Sequence, residues 1–172
     1  MSVELRTTYL GLELKNPLVA SASPLTGHLD SLCQMEEAGA AAVVMPSLFE
    51  EQLKRDELAV RRYFEFGTDQ FIETLSELPE LDNYNSGPPS YLREIEQAKK
   101  RLSIPVVASL NGAGVGNWAR HAETLADAGA DAVELSAYFV PTNPLESCER
   151  TEARYLELVT AVRAVVTVPL AV

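Results

Sequence analysis

Apolar residues along this chain follow two alternating rhythms: short unbroken runs, and longer stretches carrying one apolar stripe. The clearest instance is Ile104 to Ser136. It predicts a buried strand, a glycine turn, a helix with Trp118, Ala122, Leu125 and Ala126 on one face, a second glycine turn and a second buried strand. That is one β-α-β unit of about 33 residues, the size a parallel crossover needs. Its halves recur. Ile104-Pro-Val-Val-Ala-Ser109 echoes Asn16-Pro-Leu-Val-Ala-Ser21 and Val168-Pro-Leu-Ala-Val172. Ala128-Gly-Ala-Asp-Ala-Val-Glu-Leu135 echoes Ala38-Gly-Ala-Ala-Ala-Val-Val-Met45.

The other elements follow the same logic. Val3 to Leu14 alternates loosely and turns at Gly11, as in a short hairpin. Leu18 to Ala22 is a continuous apolar run between Pro17 and Pro24. Leu29, Leu32 and Cys33 then fall at helical spacing, and Gly39 ends that helix. Ala40 to Met45 is a second buried run, which Pro46 is expected to close. Leu92, Ile95, Ala98 and Leu102 form a helical stripe before Ile104. Pro141 to Ser147 is loop, and Tyr155, Leu158, Val159 and Val162 mark a last helix before a fifth strand at the end of the sequence. Unbroken apolar strands suit a parallel sheet covered on both faces.

Between Leu48 and Pro89 the rhythm breaks. Ten Asp or Glu residues are mixed with Tyr63, Phe64, Phe66 and Phe71, and Asn83 to Pro89 is loop. An excursion of about forty residues exceeds a simple connection. It is either a substrate-facing lid or a solvated decoration.

Near-equivalent β/α units favour a closed barrel over an open doubly wound sheet. An eight-fold barrel takes about 250 residues, whereas this chain has 172. The expected fold is therefore α/β, a partial (β/α)8 barrel of about four β/α units plus a truncated fifth strand. Residues 1–172 form a single domain, the N-terminal half of such a barrel. Open sheet edges require a missing C-terminal half or self-association.

Composition narrows the function classes. With 47% hydrophobic and 23% charged residues the chain is of ordinary globular type. A formal net charge of −11 excludes the basic stripe of a nucleic-acid surface and does not suit an anionic membrane. No apolar run reaches membrane-spanning length, and the N-terminus has no basic-then-apolar signal, so a soluble cytoplasmic protein is expected. Cys33 and Cys148 have no metal-ligand spacing and read as unrelated reduced thiols. His28 and His121 read as surface or helix-face residues. No His or Lys adjacent to Cys148 would activate it.

In a barrel, function gathers where the strands end. Here those ends are Ser21-Ala22-Ser23, Pro46-Ser47, Ser109-Leu110-Asn111-Gly112 and Glu134-Leu135-Ser136. Small hydroxyl and amide residues suit a planar ligand held by hydrogen bonds, with no evident acid–base pair; alternatively the serines merely terminate strands. Glu134 interrupts an apolar strand and needs a partner or an exposed end. Gly112-Ala-Gly-Val-Gly116 follows a strand and opens a helix, a place where backbone N–H groups bind phosphate. Asn117 stands at the third glycine position of a dinucleotide fingerprint, so the match is incomplete and a flexible loop is the simpler account.

Four stretches carry a family resemblance, in order along the whole chain. They are Thr7-Thr-Tyr-Leu-Gly-Leu-Glu-Leu-Lys-Asn-Pro-Leu18, the Ala-Gly-Ala-x-Ala-Val-Val strand leading to Ser47-Leu-Phe-Glu-Glu-Gln52, Pro105-Val-Val-Ala-Ser-Leu-Asn-Gly112, and Ala128-Gly-Ala-Asp-Ala-Val-Glu-Leu135 followed by Pro141-Thr-Asn-Pro144. Together they resemble the dihydroorotate dehydrogenase family, especially its bacterial dihydroorotate dehydrogenase-like branch. The resemblance implies an FMN-containing barrel that oxidises dihydroorotate to orotate in pyrimidine biosynthesis, with a dihydroorotate-like small molecule as the substrate of this chain.

The resemblance also implies site residues. Ala22 and Ser23 match the first strand end, against the flavin. Ser47 matches the serine of a Lys-Ser pair whose lysine is replaced by Pro46. Asn111 is a candidate to face the ring. Ser136 stands where the family usually has asparagine. The cysteine base of one class would align near Phe139, which cannot remove a proton. Asn83 and Asn85 fall near the family's substrate loop. The family's phosphate-binding loops would follow Val172, so this chain alone is expected to bind FMN weakly or not at all. Two rivals stand beside this account: a non-catalytic half-barrel interaction module, and a nucleotide-binding module built on Gly112 to Gly116.

Overall fold

The computed structural model describes residues 3–49, 88–112, 115–138 and 140–172. The acidic excursion, Asn83, Asn85 and Phe139 lie outside the described residues. Two strands, β1 (Thr7–Tyr9) and β2 (Leu12–Leu14), pair antiparallel as a hairpin. Its two-residue turn, Leu10-Gly11, holds both residues at positive φ (53° and 76°), as a tight hairpin turn requires.

The main sheet follows. Strand β3 (Val19–Ala20) leads through a 3₁₀ turn (Pro24–Gly27) into α1 (Leu29–Glu37) and β4 (Ala42–Phe49). Then come α2 (Pro88–Arg101), β5 (Val106–Asn111), α3 (Val115–Asp127), β6 (Ala132–Ser136), α4 (Cys148–Val165) and β7 (Leu170–Ala171). The five strands lie in chain order, β3-β4-β5-β6-β7, and every adjacent pair is parallel. Because every pair is parallel, all five strands run towards the same edge, and their carboxyl ends lie along it.

Alternation along each strand separates two faces. Val43, Met45, Val106, Leu110, Val133 and Leu135 pack with Leu32, Ile95, Trp118, Leu125 and Leu158 of the helices. The opposite face carries Val44, Val107 and Ala132, against which Leu10 and Leu12 of the hairpin pack together with Val19 and Ala22. This is why the strand runs are apolar throughout. One face is roofed by helices, and the amino-terminal part of the other is plugged by the hairpin.

The repeated sequence halves make equivalent ties at the amino ends of the strands. The Ala41 N–H donates to the Leu18 carbonyl (2.8 Å), and the Asp131 N–H donates to the Val106 carbonyl (2.9 Å). Side chains strengthen each tie differently. Asn16 donates from Nδ2 to the Gly39 carbonyl and accepts the Leu18 N–H at Oδ1, both at 2.9 Å. In the second repeat Asp131 accepts the Val106 N–H at 2.7 Å and two bonds from Lys99 Nζ at 2.8 and 2.6 Å.

Strand β4 departs from the sequence-based expectation. It does not stop at Pro46 but continues to Phe49. Val44 pairs with Val107 and Ser47 with Ser109, so Met45 and Pro46 together oppose Ala108. That extra residue is a β-bulge, one of the few places within a sheet where a residue lacking an N–H is tolerated. Strand β3 is also shorter than the apolar run Leu18–Ala22 suggested, because only Val19 and Ala20 find partners on β4.

Candidate functional site

The bulge decides what the carboxyl ends of the strands present. Without it, alternation from Val44 would turn Ser47 towards the helices. The extra residue restores Ser47 to the hairpin face, beside Ser109. Ser109 in turn pairs in register with Glu134 of β6. The three side chains form a hydrogen-bonded row across β4, β5 and β6: Ser47 Oγ lies 2.8 Å from Ser109 Oγ, and Ser109 Oγ donates to Glu134 Oε1 at 3.2 Å. Ser109 is fully buried, while Ser47 and Glu134 are half-buried. The partner that Glu134 needed is thus a serine hydroxyl rather than a cation.

The bulge also leaves the Ser109 N–H without a strand carbonyl. Tyr91, from the first turn of α2, reaches in from the helix side and accepts that N–H at its hydroxyl oxygen (3.2 Å). Burial pushes the Tyr91 phenol well above its ordinary value, and the nearby Glu94 and Glu134 carboxylates push the same way. Above about pH 10 the unfolded phenol loses its proton while the folded one keeps it, so stability falls as pH rises through the alkaline range. Tyr91→Phe is expected to cost about 1–2 kcal/mol at neutral pH, through the orphaned Ser109 N–H. It should also flatten the alkaline decline in urea midpoints between about pH 9 and 11. An unchanged pH slope would contradict this assignment.

One step further along the strands, Asn111 is in register with Ser136 on one side and with Phe49 on the other. Both Asn111 and Ser136 are half-buried. Among the described residues neither the Asn111 carboxamide nor the Ser136 hydroxyl has a hydrogen-bond partner. Of the sequence candidates, Ser47, Asn111 and Ser136 are therefore brought together on one face, over three adjacent strand ends. Ala22 joins them at the edge of the same face, against Val44, Val107 and Ala132. Ser23 has a different engagement: its N–H donates to Thr26 Oγ1 (3.1 Å), and its carbonyl accepts from the Thr26 N–H and hydroxyl. These bonds start the 3₁₀ turn and bury Thr26 completely.

The glycine loop after β5 behaves as packing at its first position. The Gly112 N–H donates to the Ser136 carbonyl at 3.2 Å, so it is not free for a phosphate. A Cβ on Gly112 would overlap the Trp118 indole, which is fully buried and closes over it. Ala113 and Gly114 lie outside the described residues.

Below the row, a cavity of about 390 Å³ opens between the hairpin and the sheet, lined by Thr7, Thr8, Tyr9, Ser21, Val44 and Glu134 among others. A second cavity of about 300 Å³ lies between α1, α2 and the 3₁₀ turn. There burial raises the Glu94 carboxyl above the ordinary carboxylate range, and His28 opposes that shift. His121 meets the Trp118 ring edge-on, with ring centroids 6.1 Å apart. Cys33 and Cys148 are free thiols. Among the described residues no group of three metal-ligating side chains occurs, and no helix is long and apolar enough to cross a membrane.

Sequence reasoning missed Ser109 and Tyr91 as members of this constellation. Ser109 was visible as a strand-end serine, but only the register shows that it joins Ser47 to Glu134. Nothing in the sequence signals Tyr91, whose role exists only because the bulge frees an N–H.

No protein-family model matches the chain. It is 33% identical over 161 residues to the catalytic subunit of dihydroorotate dehydrogenase B (NAD(+)) of Methanosarcina acetivorans, a match covering 92% of this chain and 49% of the relative. The corresponding subunit of Methanosarcina mazei is 32% identical over 164 residues, covering 94% and 49%. The chain therefore spans about half the length of the curated relatives it matches. Solved structures align more loosely. A dihydrodipicolinate synthase from Acinetobacter baumannii complexed with pyruvate gives a TM-score of 0.49 at 18% identity, covering 89% of this chain and 43% of that one. A phosphonopyruvate hydrolase complexed with oxalate and Mg²⁺ gives 0.47 at 15%, covering 87% and 44%. Likeness at that level assigns neither fold nor activity. The sequence matches agree with one another: over more than nine-tenths of its length this chain is similar to catalytic subunits of dihydroorotate dehydrogenase B.

Proposed function

We propose that the chain forms the ring-holding part of a dihydroorotate dehydrogenase-like, FMN-dependent oxidoreductase, built as part of a (β/α)8 barrel. One observation carries this proposal. Asn111 and Ser136 lie side by side at the carboxyl ends of a sequentially ordered parallel sheet, half-buried and without partners among the described residues. Half-buried amide and hydroxyl groups that make no bond within the protein keep their donors and acceptors for a ligand. The carboxyl ends of parallel strands are also where barrels keep their sites.

The residues present fit the ring of a flavin. The donor set is an amide and hydroxyls on a shelf of small side chains, with Ala22 and Ser47 leaving room for a flat body. FMN, when bound, accepts a hydride. The residues of this chain bind and orient: Asn111 offers both a donor and an acceptor, Ser136 a hydroxyl, and the wall formed by Val44, Val107 and Ala132 below keeps water from the inner side of the shelf. Closing a barrel around this shelf takes further β/α units, supplied by the rest of a longer chain or by a second copy.

Titration of FMN against the chain, followed by quenching of flavin fluorescence, tests the proposal. Weak but saturable binding is expected, because this chain supplies only the ring-holding part of the site, and Asn111→Ala should weaken it about tenfold, since one hydrogen bond in a half-buried site is worth about 1–1.5 kcal/mol. Ser136→Ala should weaken it further. Absence of saturable binding, or wild-type affinity in the double variant, would contradict the proposal. The nucleotide-loop rival loses ground because the first N–H of that loop is spent on the Ser136 carbonyl.

A further inference from the structure

We infer that Glu134 sets the direction of hydrogen bonding through Ser109, so that Ser47 offers its ligand an acceptor lone pair and not a proton. A carboxylate only accepts, and a serine hydroxyl has one hydrogen to give. Ser109 gives its hydrogen to Glu134 Oε1 at 3.2 Å. Ser109 is fully buried, so no water offers an alternative. In the 2.8 Å contact between the two serine oxygens, Ser109 has no hydrogen left, and Ser47 must be the donor. The hydrogen of Ser47 is then committed inward along the row. Its remaining lone pairs face outward, and among the described residues nothing else bonds to them.

The consequence concerns specificity. A site lined by serines is usually ambivalent, because each hydroxyl rotates to suit its partner. Here a carboxylate two strands away removes that freedom. Whatever meets Ser47 must bring an N–H or O–H, and a carbonyl or ring nitrogen without hydrogen is rejected. This rests on the flavin reading for its ligand. FMN carries such hydrogens at ring N3 and on its ribityl hydroxyls; Ser47 lies one alternation step along the strands from the ring-holding Asn111 and Ser136, so N3–H on the pyrimidine edge is the group assigned to it.

Two measurements test the inference. Neutron diffraction from a deuterated crystal of the chain should place the Ser109 hydroxyl deuteron towards Glu134 and the Ser47 deuteron between the two serine oxygens. In Glu134→Gln, whose amide can donate, the order is free to reverse. A Ser109 deuteron lying between the serines of the unaltered chain would overturn the inference. In solution, methylation of the flavin at N3 should weaken binding about tenfold for the unaltered chain and leave affinity for Ser47→Ala unchanged. Equal discrimination by both proteins would overturn the role of Ser47. Failure of FMN to bind at all would instead defeat the flavin reading, while the deuteron positions still decide the polarity of the row.

Discussion

Gly112→Ala is expected to destabilise the chain by about 1–3 kcal/mol, the usual range for forcing a methyl group into a packed interior. The cause is steric and local. Gly112 does not have positive φ, so its backbone suits alanine, but the added carbon would fall within the Trp118 indole. Trp118→Ala alone should cost about 3–5 kcal/mol, because a fully buried ring leaves a cavity that its neighbours fill only in part. The pair should be strongly non-additive: once the indole is gone, alanine at 112 should cost almost nothing. Urea unfolding of the two single variants and the double variant measures this coupling. Additive losses would show that the indole is not what excludes a side chain at 112. The effect reaches the site as well, since the Gly112 N–H ties β5 to the Ser136 carbonyl.

Asp131→Ala should be of similar size, about 2–4 kcal/mol, through a different mechanism. It removes the acceptor of the Val106 N–H and strands the Lys99 ammonium, whose side chain is only 30% exposed. An orphaned buried N–H costs about 1–3 kcal/mol, and an uncompensated, partly buried charge adds to that. Asp131→Asn keeps an oxygen for the Val106 N–H and should lose about half as much. Since the tie lies at the amino ends of the strands, both variants should change the urea midpoint while leaving FMN affinity within about twofold. Equal losses for Ala and Asn would show that the Val106 bond contributes little.

The repeating pattern made the element order legible because parallel strands covered on both faces and helices with one apolar stripe leave different spacings. Trp118, Ala122 and Leu125 lie buried as their spacing predicted, and Gly39 and Gly129 sit at positive φ after their helices. Asn111 and Ser136 were legible as strand ends for the same reason. Pro46 misled because a proline ordinarily ends a strand, and only the pairing with β5 shows that the chain absorbs it as a bulge. Everything that depends on the bulge was therefore hidden. Had β4 alternated regularly, Ser47 would face the helices, the row to Glu134 would not exist and Tyr91 would have no N–H to accept.

The central claim is that the carboxyl ends of β4, β5 and β6 form one face of a flavin site. Amide NMR of the labelled chain during an FMN titration tests it most directly, since it maps even weak binding residue by residue. The account predicts saturable shifts clustered at Ala22, Ser47, Asn111 and Ser136, with Lys99 and Asp131 at the opposite end of the sheet unaffected. Shifts confined to Gly112 through Gly116 and the start of α3, or no saturable shifts at the strand ends, would contradict it.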